Sequence, residues 1–173
     1  MQRTGYKLIE VDPQGRLFPL FIGAKEEIRI GEPWKAQAIP TKGFAFRPGI
    51  HIGAIPSAPW LMNADGEYAS QRGKSWKREW FVVEYNANHD YTEEALQQEG
   101  KCFREVPKDG FYTFFEKGRC LWYICSDVRV IKRLEEEERM KILKNMNFDE
   151  EKEFKPYAEA FAKRRATLAK KQN

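Results

Sequence analysis

A chain of 173 residues is long enough for one domain with its own core, so neither disulfides nor a structural metal is needed to hold it. Hydrophobic residues at 42% and aromatics at 14% argue against disorder before about residue 133, and no run approaches the 18 or so apolar residues of a membrane span. The net charge of +4 is too evenly spread for a broad nucleic-acid-binding face. Bases stand out only at the end, where the eleven residues from Lys163 carry five bases and no acid.

The alternation of Tyr6 to Val11 predicts a strand, Asp12-Pro13-Gln14-Gly15 a turn, and Arg16 to Ile22 the return strand of a hairpin. Pro19 lacks a donor, so that return strand is an edge or is bulged. Glu26 to Ile30 predicts a third short strand, broken by Gly31-Glu32-Pro33. Ile50 to Ile52 is a further short strand, and the polar run Asn63 to Ser75 is a surface loop, expected to be the most mobile part of the body. Trp80 to Tyr85 is apolar on both faces and belongs in the middle of a sheet. Asp90 to Gly100 predicts a short helix capped by Asp90 or Thr92. Gly110 to Glu116 and Arg119 to Cys125 form a hairpin about Lys117-Gly118, and Val128 to Leu134 alternates as a last, half-exposed strand. From Leu134 the composition turns to helix formers. A first helix breaks at Asn147-Phe148-Asp149, and a second is expected from about Pro156, since proline suits a first turn. The fold class is therefore α+β: a twisted, mostly antiparallel sheet over 1–133, one short helix, and a C-terminal helical arm over 134–173.

Between strands lies Pro40 to Met62, PTKGFAFRPGIHIGAIPSAPWLM, dense in proline and glycine and nearly free of charge. Proline fixes φ and glycine frees it, so this run reads as a backbone held on one irregular path. Its polar groups, Arg47 and His51, are the first candidate ligand-binding residues. A cation and an imidazole on a rigid loop suit a phosphate or a carboxylate. Glu84, a carboxylate on the most apolar strand, is the third. Lys163, Arg164, Arg165, Lys170 and Lys171 form a basic tail suited to an acidic surface or a nucleic-acid backbone. No nucleophile–base pair, paired carboxylates, phosphate loop or dinucleotide motif is visible, so no catalytic residue is assigned. Cys102, Cys120 and Cys125 are odd in number and contain no CxxC. With no signal peptide recognisable, they read as reduced thiols of a cytoplasmic protein, with no metal site.

The blocks YKLIEVDPQGRLFPLF, TKGFAFRPGIH, REWFVVEY and WYICSDVRVIKRL resemble, in that order, a group of small proteins of phages, mobile elements and gut bacteria. A G-x-x-x-RPG-[WI]-H block sits between strands in that group. The resemblance covers most of 6–133 and implies an accessory protein of phage or mobile-element origin, without a stated activity. RPGIHIGAIPSAPW also resembles the G-x-G-I-Y-F-A-x-x-x-S-x-A segment of ADP-ribosyltransferase folds. That likeness implies NAD as cofactor, with His51 in place of the aromatic that lies against nicotinamide. Pro48 interrupts the glycine pair, and Cys120 or Leu121 stands where the catalytic glutamate belongs, so the implied domain is active or degenerate. The sequence thus favours a non-enzymatic intracellular interaction protein that binds a partner protein through the Arg47/His51 loop or the helical arm, with no cofactor. An NAD-binding, ADP-ribosyltransferase-like domain is the alternative, and nucleic-acid binding through the tail comes third.

Overall fold

Apolar side chains on both faces place a strand inside a sheet, and the strand carrying Trp80 to Tyr85 lies there. In a computed structural model, which describes residues 1–40, 43, 45–116 and 121–173, this strand is β5 (Lys77–Asn86). It pairs antiparallel with β1 (Gln2–Val11) along its whole length, from Gln2 opposite Asn86 to Val11 opposite Lys77. The remaining strands are β2 (Leu17–Phe18), β3 (Pro33–Lys35), β4 (Ile50–Gly53), β6 (His89–Asp90), β7 (Gly110–Phe115), β8 (Leu121–Cys125) and β9 (Asp127–Arg133). They form one open sheet of nine strands in the order β3-β9-β5-β1-β4-β8-β7-β6, with β2 also on β1. All pairings are antiparallel except β6 with β7. The expected α+β class, with its mostly antiparallel sheet and C-terminal helical arm, is the class observed.

Several local expectations give way. The return strand pairs only at Leu17 and Phe18, because Pro19 cannot continue the ladder. Glu26 to Ile30 is not a strand; Ile28 makes a single bridge to Leu17. The strand lies instead at Pro33–Lys35, where the edge position against β9 leaves the missing proline donor harmless. The alternation expected for β9 breaks at Ile131, which is bulged out where the register with β5 shifts between Val82 and Val83. Its Val128, Val130 and the following Leu134 are buried. The short helix shrinks to α1 (Thr92–Leu96), with the Asp90 carboxylate accepting from the Thr92 amide at 3.0 Å. The Lys117-Gly118 turn and Cys120 lie outside the described residues.

The run 63–75 is tied down rather than loose. Arg72 donates to the carbonyls of Ala24 at 2.9 Å and of Pro19, and Ser70 donates to the fully buried Glu10 at 2.6 Å. Glu10 also pairs with the buried Arg78 at 2.7 Å, across the β1–β5 ladder.

One face of the sheet buries Ile9, Ile50, Ile52, Phe81, Val83 and Tyr85. The other buries Leu8, Ala58, Trp80 and Leu134 under helix α2 (Glu136–Asn145), whose Leu143 is also buried. Helix α3 (Glu150–Gln172) starts well before Pro156. The Asp149 carboxylate caps the Lys152 amide at 3.1 Å, and Glu150, Glu151 and Glu153 favour the first turn. Pro156 is absorbed one turn further in, at the loss of one helical hydrogen bond. Arg139 of α2, almost fully buried, holds both helices to the body. It forms a two-pronged ion pair with Glu150 at 2.7 and 2.9 Å, donates to the Pro56 carbonyl at 3.0 Å, and pairs with Glu136. Ser57 and Tyr68 donate to the same Glu150 carboxylate, Tyr68 at 2.8 Å. The arm is thus docked through its first half. Beyond Phe161 every residue of α3 is exposed.

Candidate functional site

The RPGIH block is closed on itself by a hydrogen bond from the His51 ring to the Arg47 carbonyl, Nε2 to O 2.9 Å. A carbonyl only accepts, so Nε2 carries the proton and Nδ1 keeps a lone pair. Pro48 is buried, and Gly49 has φ +142°. A Cβ on Gly49 would fall 2.3 Å from the Ile124 methyl Cγ2, so this close approach to β8 admits only glycine. The guanidinium of Arg47 lies over the Phe114 ring, 4.4 Å from its centroid.

Arg47 and His51 face one hollow of about 310 Å³, walled by Trp60, Trp80 and Trp122 with Tyr6 and Leu8 of β1. Trp60 and Trp122 meet edge to face at 5.4 Å. The hollow exists because β1 and β4 pair only where Tyr6 meets Gly53. Beyond that point the ladder is open, and the Lys7 ammonium reaches across to donate to the His51 carbonyl at 2.6 Å. Lys7 also lines a smaller hollow of about 140 Å³ with Trp34 and Ile50, sharing Leu20, Phe21 and His51 with the first.

The electrostatics differ from what Arg47 and His51 alone suggest. Burial pushes the His51 pKa down to about 4, and the charges of Lys7 and Arg47 add to the effect against the bond to the Arg47 carbonyl. The imidazole is therefore neutral at physiological pH. The second cation is Lys7. Its partners are a carbonyl and the face of Trp34, 5.5 Å from the ring centroid; among the described residues no carboxylate pairs with it. Burial lowers its pKa to about 8, with the Cys125 thiol acting in the other direction. Glu116 also lines the hollow and accepts from Trp122 Nε1 at 3.2 Å.

Glu84 is not part of this site. It stands between Thr4 and Arg129 in the middle of β5. The five tail residues Lys163, Arg164, Arg165, Lys170 and Lys171 lie at the exposed end of α3. There the spacings 163/170 and 164/171 put four of them on one side of the helix. Among the described residues no group of three or more His, Cys, Asp or Glu side chains gathers in a metal-binding arrangement. A larger hollow of about 550 Å³ lies along 98–108, but it is wide open and its Glu99 and Glu105 balance Arg104 and Lys108.

No family model, curated protein or solved structure gives a significant match to this chain. The site therefore rests on its own geometry. Sequence reasoning missed Lys7, Trp80 and Trp122. For Lys7 a signal was present: on an alternating strand it shares a face with Gly5, Ile9 and Val11, where a charge needs a reason.

Proposed function

We propose that the protein is a non-enzymatic recognition module that binds its partner or ligand at the hollow faced by Arg47 and His51. The observation that carries this reading is the convergence of both residues, from a backbone locked by Pro48 and Gly49, on one ligand-sized concavity. The non-enzymatic part of this reading is supported by the setting of His51. Its ring bonds to a carbonyl and not to a nucleophile among the described residues, which favours a binding role. The phage or mobile-element setting and a cytoplasmic location belong to this proposal, on the sequence resemblance and the cysteine pattern. No helix among the described residues is long and apolar enough to cross a membrane.

The ADP-ribosyltransferase-like alternative needs room for NAD. A hollow of about 310 Å³ is at the low end for ligand sites, which run from roughly 300 to 1,000 Å³. It accommodates the nicotinamide half better than the whole dinucleotide. A fragment screen of the full chain, read by NMR of the tryptophan indole N–H signals, tests the proposal. Binders that shift Trp60, Trp80 and Trp122, and that Trp60→Ala weakens, support it. Hits confined to the 98–108 hollow sink it. An NAD titration in the same series, with a melting shift removed by His51→Ala, would favour the alternative.

A further inference from the structure

We propose that the ligand of this hollow is a small anion borne on a flat ring, an aromatic carboxylate or a mononucleotide, gripped by Arg47, Lys7 and Trp80 and flanked by Trp60 and Trp122. The inference rests on the recognition reading above and adds the chemical class of what is bound.

The hollow has hydrogen-bond donors without acceptors. Among the described residues, the buried side-chain nitrogen or oxygen atoms lacking any hydrogen-bond partner are Arg47 Nε and Trp80 Nε1. Both are N–H donors, and both residues line this hollow. A buried donor left unpaired costs on the order of 1–3 kcal/mol, so two in one place point to acceptors that a bound molecule supplies. Lys7 adds to the excess, since one of its N–H groups goes to the His51 carbonyl and no carboxylate among the described residues pairs with its charge. The carboxylate of Glu116 is engaged by Trp122.

The donors set the anion, and the walls set the rest. Indole rings from three parts of the chain, β5, β8 and the turn Pro59–Leu61, surround the space. Stacked and edge-to-face contacts with such rings favour a planar partner. The volume holds one ring system with one anionic group. Neutral His51 offers its Nδ1 as an acceptor beside the cations, which suits a ligand that also carries a donor, such as a ring N–H or a ribose hydroxyl.

Calorimetric titration of the full chain with two matched pairs, AMP against adenosine and nicotinate against nicotinamide, tests the class. At least one anion is expected to bind tenfold or more tightly than its neutral counterpart, and the pair that shows this assigns phosphate or carboxylate. Lys7→Met and Arg47→Met are each expected to erase the preference, weakening the anion at least tenfold more than its neutral counterpart. Equal binding within each pair overturns the proposal. So does a preference that survives both substitutions, or no binding by any of the four at millimolar concentration. The fragment screen separates the two levels: neutral fragments bound in the hollow without anion preference sink the ligand class alone, whereas no fragment in the hollow sinks the recognition site itself.

Discussion

Replacing Arg139 by methionine tests how the helical arm is held. The guanidinium side chain is only 5% exposed and that of Glu150 12%, so the substitution keeps the stem and leaves a carboxylate inside without its cation. Removing one partner of a buried pair costs about 3–5 kcal/mol. Ser57 and Tyr68 still donate to Glu150, so a loss near 3 kcal/mol is expected. For a domain of this size that is a fall in Tm of about 6–12 °C. The pH dependence makes the test specific. Burial by itself raises the Glu150 carboxyl, but the hydrogen bonds from Arg139 and Ser57 and the Arg139 charge outweigh it and hold the pKa below its ordinary value. That contribution is present above the unfolded carboxylate pKa and fades as pH falls through the lower folded one. In Arg139→Met the balance reverses: burial prevails, the folded pKa rises, and protonation relieves the defect. The gap between variant and native chain should therefore narrow from pH 7 to pH 4, measured by urea unfolding. A loss below about 1 kcal/mol, or a gap that does not change with pH, would refute the latch.

Gly49→Val should cost at least about 3 kcal/mol in the same assay, through overpacking against Ile124 and a φ of +142° that side chains rarely adopt; a near-neutral result would show that the loop yields. Lys7 has a folded pKa of about 8 against an ordinary 10.5, so its penalty is complete below pH 8 and gone above 10.5. The native chain should gain about 3 kcal/mol across that window, a rise that Lys7→Met flattens; equal slopes would mean that the ammonium is solvated. Truncation after Ala162 removes only exposed residues, Leu168 among them at 59% exposure, and should change stability by less than about 1 kcal/mol. If the tail binds a nucleic-acid backbone, the same truncation abolishes retention on DNA at low salt, and the full chain shows a log–log salt slope no steeper than about −4.5. Unchanged retention would leave the bases as a solvated helix end.

Period and punctuation in the sequence determined the middle of the fold. Trp80 to Tyr85 is apolar on both faces, and that suffices to place β5 between two neighbours. The density of proline and glycine around Arg47 and His51 marks a locked loop, because those residues constrain or release φ wherever they occur. The helix former run after Leu134 marks the arm by composition alone. Other features depend on partners distant in the chain. Pro156 is a good first-turn residue, yet the Asp149 cap and the grip of Arg139 on Glu150 start α3 earlier, and no local pattern records a contact between β4's neighbours and two helices. The charge of Lys7 sits in plain view on β1, but that no carboxylate pairs with it among the described residues, and that it lines one hollow with Arg47, is decided where β1 and β4 part after Tyr6 and Gly53. The hollow belongs to tertiary structure altogether. It is built where one ladder stops and three tryptophans from separate stretches close around the opening, and pair-by-pair periodicity along one strand carries no information about a gap between two.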